Sequence, residues 1–302
     1  RTLGVSQLVV LINKFDDPLV NFSKDRYDEC KDQLEDLVKT VGFDASKIAF
    51  VPASGWTGDN LKNKSEKMSW YTGPTLFEAL DKFNAPEKPI GKPLRIPVQD
   101  VYTITGVGTV PVGRIETGSM KVGDKLVVAP AMTPAELKSM ETHHTSMETA
   151  EAGDNIGFNL RGVSKQDIRR GDVVGAAGSP PKVAKEFLAQ IIVVHHPTAI
   201  AAGYTPVLHA HTTQVAATMV ELVTKLDKRT GQPLEEKPKS LKTGDSAIVK
   251  IQPLRPLCIE AFAEFPELGR FALRDMATTI AAGVVKEVTQ EWDLTKKDAT
   301  KS

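Results

Sequence analysis

The chain has 302 residues, a formal net charge of +0, 41% hydrophobic residues and 25% charged residues. That length exceeds one typical hydrophobic core, so two or three domains are expected, and the composition excludes a disordered or fibrous protein. The charge balance excludes nucleic-acid binding by bulk charge and leaves recognition by shape open.

Arg1-Thr2-Leu3-Gly4 has no initiator methionine and no signal-peptide shape, and reads as the middle of a longer protein. The apolar run Leu8-Val9-Val10-Leu11-Ile12 predicts a strand buried on both faces. Asn13-Lys14-Phe15-Asp16 follows it, at the strand end where open α/β sheets bind ligands. Asn-Lys-x-Asp suits guanine. The Asp16 carboxylate can accept two parallel hydrogen bonds, from the ring N–H and the exocyclic amine, a pair adenine does not offer. The Lys14 stem can cover the base face, and Asn13 can tie neighbouring loops together. Four residues alone are a weak signal, which the preceding strand strengthens.

Ser23 to Val41 carries Tyr27, Cys30, Leu34, Leu37, Val38 and Val41 at helical spacing, with Gly42 as a stop. Ile48-Ala49-Phe50-Val51-Pro52 predicts a second strand. Ala53-Ser54-Gly55-Trp56 after it is either an ordinary turn or a set of backbone N–H groups for the guanine carbonyl. Thr75 to Phe83 predicts a second helix with Leu76, Ala79, Leu80 and Phe83 on one face. Residues 1–86 thus read as an α/β domain.

Residues 87–93 lie in a proline-rich run, Ala85 to Pro93, that reads as a stiff linker. From residue 94 helical periodicity fades. Short strands are expected at Leu94–Tyr102, Thr109–Ile115, Lys125–Ala129, Glu136–Glu141, Asn155–Leu160 and Val173–Ala176, punctuated by Gly-Asp turns. Ser179-Pro180-Pro181 makes a break. Further strands are expected at Phe187–Val194, Pro206–His211, Val215–Lys225, Ala247–Pro253, Cys258–Phe265, Phe271–Arg274 and Ala281–Val288. Domains at 94–180 and 181–292 therefore read as two β-barrels, with residues 293–302 a frayed tail. The expected fold class is α/β plus all-β.

Cys30 and Cys258 lie far apart, which speaks against a disulfide framework and for a reducing, cytoplasmic setting. No apolar stretch approaches membrane-spanning length, so no membrane partner is expected. His209 and His211 have a spacing a metal could use, but no third ligand stands beside them in sequence; no metal or catalytic residue is assigned.

Asn13-Lys14-Phe15-Asp16, Ser54-Gly55-Trp56-Thr57-Gly58-Asp59-Asn60, the run Gly106 to Arg114, the run Ala152 to Val163, and Gly269-Arg270-Phe271-Ala272-Leu273-Arg274-Asp275 together resemble the elongation factor 1-alpha family of translational GTPases, in its archaeal or eukaryotic form. The likeness covers nearly the whole chain. It implies the carboxyl-terminal part of a P-loop GTPase domain followed by two barrels. The family's phosphate loop, switch regions and Asp-x-x-Gly motif would all precede Asn13, and no Gly-x-x-x-x-Gly-Lys-Ser/Thr occurs in the chain. The expectation is thus an amino-terminally truncated fragment, without hydrolysis of its own.

The resemblance implies GTP-dependent delivery of aminoacyl-tRNA to the ribosomal A site. GTP or GDP with Mg2+ would be the cofactor. Aminoacyl-tRNA, the ribosome and a guanine-nucleotide exchange factor would be partners of a monomer. It places Asn13, Lys14 and Asp16 on guanine, with Ser54, Gly55 and Trp56 closing over the base. It places Asp100, Tyr102, Val110, Glu141, His143 and Asn155 around the terminal adenosine and its amino acid, and Arg270 and Arg274 near the T stem. Asn155 also reads as a plain turn residue after Gly153-Asp154. Arg270 and Arg274 share one strand face and could meet successive phosphates or be surface cations. Two alternatives stay open: a related translational GTPase of termination or ribosome rescue, and a binding module without activity.

Overall fold

The computed structural model describes residues 5, 7–40, 43–85, 87–143, 145–227 and 230–293. Expectations for Arg1–Gly4, for Val41 and Gly42, and for the tail beyond residue 293 lie outside the described residues. The chain divides into two compact units, residues 1–87 and 88–302.

In the first unit β1 (Val9–Ile12) and β2 (Ala49–Pro52) pair in parallel, in register from Val9 with Ala49 to Ile12 with Pro52. Between them runs α1 (Lys24–Thr40), with Asp25 in its first turn and Lys39 in its last, the arrangement that complements a helix dipole. Tyr27 and Val38 of this helix pack with Phe15, Phe50 and Met68. The Tyr27 hydroxyl donates to the Phe50 carbonyl at 3.0 Å. A short α2 (Leu76–Leu80) begins in a capping box between Thr75 and Glu78.

Several expectations need correction here. The first strand is not buried on both faces: Leu11 is 37% exposed, because the sheet has only two strands and one face of β1 is uncovered among the described residues. Leu37 is exposed despite its helical spacing. The second helix ends at Leu80, and of its four apolar residues only Ala79 is fully buried while Leu80 and Phe83 are exposed.

The second unit contains two closed sheets. The first barrel's region runs through β3 (Arg95–Ile104), β4 (Gly108–Arg114), β5 (Ser119–Lys121), β6 (Lys125–Ala129), β7 (Thr133–Thr142), β8 (Thr145–Met147), β9 (Thr149–Glu151), β10 (Asn155–Arg161) and β11 (Val173–Ala176), of which β5 and β9 pair with each other in a separate two-stranded sheet and the rest form the closed one. Strands β10, β4, β3, β11, β6 and β7 form a continuous ladder that closes by β10 pairing with β7. Alternate residues point inward, and Ile96, Val98, Leu137, Ile156 and Phe158 fill the interior.

The second closed sheet uses β12 (Val183–Val193), β13 (Val207–Ala210), β14 (Thr213–Leu226), β15 (Pro233–Glu236), β16 (Ser246–Pro253), β17 (Leu257–Cys258), β18 (Arg270–Asp275) and β19 (Thr278–Glu291). It closes where β13 pairs with β14, around Phe187, Ile191, Met219, Ile251 and Phe271. Phe187 and Phe271 meet edge to face at 5.8 Å. The strand expected at 258–265 stops at Cys258. Beyond it Phe265 N–H returns to the Ala261 carbonyl at 2.9 Å, a turn that carries Glu260 and Phe265 out of the sheet to the seam between the barrels. The short strands β5, β8, β9 and β15 have no counterpart in the sequence reading.

Candidate functional site

The ends of β1 and β2 bring two loops side by side. Ala53 N–H donates to the Ile12 carbonyl at 2.9 Å and Phe15 N–H to the Ala53 carbonyl at 3.2 Å. The Phe15 ring is fully buried against the α1 face, so the tetrad is anchored by its one variable position. Lys14 takes a left-handed backbone, φ 67°, an uncommon conformation for a residue other than glycine, directly before that anchor.

Asn13 Oδ1 accepts from the Lys14 N–H at 2.7 Å and from the Gly55 N–H at 2.8 Å, which ties the loops directly. A Cβ on Gly55 would lie 3.4 Å from Asn13 Nδ2, an ordinary contact distance. Asp16 Oδ1 accepts from the buried Ser54 hydroxyl at 2.6 Å, and Ser54 Oγ accepts in turn from the Thr57 N–H at 3.1 Å. One carboxylate oxygen is thereby oriented, and both retain lone pairs for a ligand. Trp56 is 90% exposed.

Two residues quoted in the sequence motif prove to shape the second loop. Asn60 is buried, donates to the Pro52 carbonyl at 2.9 Å and accepts from the Ser65 N–H at 2.8 Å. Asp59 accepts from Ser65 Oγ at 2.6 Å. Burial pushes the Asp59 carboxyl up, but hydrogen bonds from Ser65 and Thr57 outweigh it and hold the group below its ordinary value.

On the nearer barrel a cavity of about 250 Å³ opens between Ile104, Val107, Val110, Glu141, Gly157 and Asn159. Val110 is its buried wall and Glu141 its exposed acidic edge. Gly157 stands opposite Glu141 on β7 and Val112 on β4. A Cβ on Gly157 would lie 3.6 Å from Val110 Cγ1 and 3.9 Å from Glu141 Cγ, so the missing side chain leaves the space between them. Asn159 Nδ2 donates to the Val107 carbonyl at 2.9 Å and closes one end.

The other residues expected here, Asp100, Tyr102, His143 and Asn155, are not among those that line the cavity. Tyr102 pairs with Val110 in the β3–β4 register and its ring is half exposed. Asp100 accepts from the Val101 N–H at 2.8 Å; that bond, with the Tyr102 hydroxyl behind it, holds the carboxyl below its ordinary value. His143 is exposed in the β7–β8 turn with φ 46°, and does not line the cavity. Nor does Asn155, whose carbonyl accepts from Thr142 Oγ1 at 3.0 Å.

On the farther barrel Arg270 and Arg274 lie on the outer face of β18, with Phe271 and Leu273 buried beneath. Arg270 pairs with Glu267 at 3.1 Å and stacks over Phe262 at 5.0 Å. Arg274 Nη2 donates to the Ala277 carbonyl at 2.9 Å. His209 and His211 do not converge on a ligand set. His211 Nε2 sits 2.8 Å from the Cys258 carbonyl, and among the described residues no group of His, Cys, Asp or Glu side chains could hold a metal ion.

Sequence reasoning missed one polar feature. A cleft of about 380 Å³ between the barrels is lined by Arg169, Arg170 and Arg255 together with Asp172 and Thr213. Burial pushes the Asp172 carboxyl up to about 6, against the Arg169 N–H that donates to it at 2.9 Å. The arginine doublet was legible as Arg169-Arg170; its meeting with Arg255, 85 positions on, was not.

Three family models match the chain: the elongation factor Tu GTP-binding domain over residues 1–86, elongation factor Tu domain 2 over 108–175, and the GTP-eEF1A C-terminal domain-like family over 186–286. Elongation factor 1-alpha of Cenarchaeum symbiosum is 63% identical over 96% of this chain and 66% of its own length. That of Methanocaldococcus jannaschii is 59% identical over 95% of this chain and 67% of its own length. The chain thus spans about two thirds of the curated relatives it matches. Among solved structures, sup35 complexed with GMPPNP aligns at a TM-score of 0.64 and 31% identity, covering 95% of this chain and 70% of that one.

Proposed function

The chain belongs to the elongation factor 1-alpha family, and on that premise we propose that it supplies the base-selecting half of a GTP site and the RNA-holding barrels of a GTPase that delivers aminoacyl-tRNA to the ribosomal A site. The observation that carries the reading is the knitting of the two loops: Asn13 to Gly55 and Asp16 to Ser54 leave one oriented carboxylate at a strand end. That is the chemistry a guanine edge requires. Lys14 covers the base face and Trp56 lies free to close over it. GTP, once bound, supplies the energy-yielding phosphoanhydride. Because the chain contains no Gly-x-x-x-x-Gly-Lys-Ser/Thr segment, its phosphates and Mg2+ would be held from outside these 302 residues.

The cavity supports the RNA half. An apolar wall at Val110 and an acidic edge at Glu141 suit an adenine ring and its amine, and Asp100, Tyr102, His143 and Asn155, outside the cavity's lining, are proposed to meet the ribose and the esterified amino acid on family resemblance alone. Arg270 and Arg274 on the farther barrel, and the arginine cleft between the barrels, suit the phosphodiester backbone. Exchange-factor and ribosome contacts and a cytoplasmic setting follow from the same reading. A termination or rescue GTPase would share the barrels; identity of 63% to elongation factor 1-alpha against 31% to sup35 favours the carrier.

Asp16→Asn in the full-length protein tests the base site. It exchanges one carboxylate oxygen for an amide donor, which suits a xanthine carbonyl. Preference should move from guanine to xanthine nucleotides by roughly 10⁴-fold, the scale at which unpaired buried polar groups discriminate. Unchanged preference in a nucleotide competition assay removes Asp16 from base reading.

A further inference from the structure

Among the described residues the largest fully buried side chain is a charged one, Arg95 at 2% exposure, and its partner Glu260 is at 0%. The two are 165 positions apart and belong to different barrels. Arg95 Nε and Nη2 each donate to one Glu260 oxygen at 2.9 Å, a two-pronged pairing. Nη1 donates to the carbonyls of Leu94 and Ser179 at 2.9 and 2.8 Å, and Nη2 also to Pro180 at 3.3 Å. Glu260 Oε1 accepts in addition from the Lys182 N–H at 3.0 Å. One guanidinium therefore grips its own barrel, the other barrel and the 179–182 connector at once. The Phe265 ring covers it at 4.6 Å.

Such a pair is a poor way to gain stability, since apolar residues of similar volume often serve as well. What it does supply is a single geometry, because each donor has a carbonyl or carboxylate partner in a place where an unmade hydrogen bond is costly. The segment it fixes leads straight to Arg270. A Cβ on Gly269 would lie 2.5 Å from Phe262 Cα and 2.9 Å from the Glu260 carbonyl oxygen, so the turn from 260 to 269 is closed tightly on itself. Phe262 is the ring on which the Arg270 guanidinium stacks.

We propose that Arg95 and Glu260 are a positioning pair that holds the Arg270 surface of the farther barrel at a set distance from the Val110–Glu141 cavity of the nearer one, so that both engage one extended RNA without a search for their relative placement. The functional half of this rests on the tRNA reading above. Two surfaces joined at fixed spacing bind a ligand that spans them far better than the same surfaces on a loose joint.

The test uses spin labels at exposed Lys121 and Lys242, one on each barrel of the full-length protein, with aminoacyl-tRNA affinity measured in parallel. The parent should give one narrow distance distribution. Arg95→Lys keeps the charge and removes the fork; Glu260→Gln keeps the shape and removes the charge, and remains informative should the lysine variant not fold. Both should broaden the distribution and weaken aminoacyl-tRNA binding roughly tenfold or more, with GTP affinity unchanged. A narrow distribution in the folded variants, or a broad one in the parent, overturns the positioning pair. A narrow parent and broad variants, with no aminoacyl-tRNA binding by the parent, leave the pair standing and sink the tRNA reading instead.

Discussion

The two units reach order by different routes. Each barrel closes its own hydrogen-bond ladder, and its core residues, Phe158 in one and Phe187 in the other, are fully buried. In residues 1–87 the sheet has two parallel strands, and Leu11, Leu37, Leu80 and Phe83 remain exposed. A closed antiparallel barrel needs only neighbours in its own sequence, whereas a parallel sheet depends on every strand and crossover that covers its faces. The candidate sites follow the same division. The loop site hangs on side-chain hydrogen bonds between two loops, and the Val110–Glu141 cavity is carved into a closed sheet by one absent side chain.

The widest break in that comparison comes from core truncation. Phe158→Ala should cost its barrel about 3–5 kcal/mol, whereas Leu11→Ala in β1 should cost under about 1 kcal/mol. Urea unfolding with native-state hydrogen exchange reads both. The β12, β16 and β19 amides should be the slowest to exchange and the β1 amides the fastest of any strand. Equal costs, or equal protection, would show that the small sheet is as firmly held as the barrels.

A second measurement sharpens the picture of the seam. Asp172 is raised by burial from 3.8 to about 6, so the folded state holds a proton the unfolded chain has released; stability falls as pH rises through this window, by on the order of 3 kcal/mol. His211 is lowered by desolvation from 6.5 to about 4, against its hydrogen bond to the Cys258 carbonyl. The unfolded chain then holds the extra proton, and stability rises over nearly the same window by a similar or smaller amount, since the ring is part-exposed. The two slopes oppose each other, and the parent should be nearly flat between about pH 4 and 6. Asp172→Asn keeps the acceptor for the Arg169 N–H and should leave stability rising with pH. His211→Gln keeps the donor to Cys258 and should leave it falling. Thermal midpoints across that range check the signs; slopes of the same sign in both variants would exclude the balance.

Much of this was legible beforehand, and the reasons differ by region. Barrel strands such as Lys125–Ala129 and Val173–Ala176 were read to the residue because a Gly-Asp turn precedes each and a short, nearly continuous apolar run follows it. The short strands β5, β8 and β9 were not, since three residues carry no period. The strand expected at 258–265 failed because its apolar residues serve the seam, where Phe265 covers Arg95, and a barrel–barrel contact leaves no local signature. Asn13 and Asp16 stood out through their chemistry at a strand end. Gly157 did not, because the reason for a glycine there is the distance from Val110 to Glu141, which are 31 positions apart in sequence.

That glycine yields the smallest effect and the cleanest separation of fold from site. Its backbone is an ordinary strand conformation, and a methyl group there would meet Val110, Glu141 and Val112 at 3.6 to 3.9 Å, normal contact distances. Gly157→Ala should therefore fold, with stability unchanged or raised by up to about 1 kcal/mol, as loss of glycine's freedom in a strand predicts. The same methyl occupies the floor of the cavity. Crowding by one methyl costs about 1–3 kcal/mol, so binding of an aminoacyl-adenosine end should weaken roughly tenfold or more. Protection of the aminoacyl ester against hydrolysis, measured beside the thermal midpoint, reads both. A midpoint that falls along with protection would make Gly157 a folding residue; protection that survives a raised midpoint would move the adenosine to another surface.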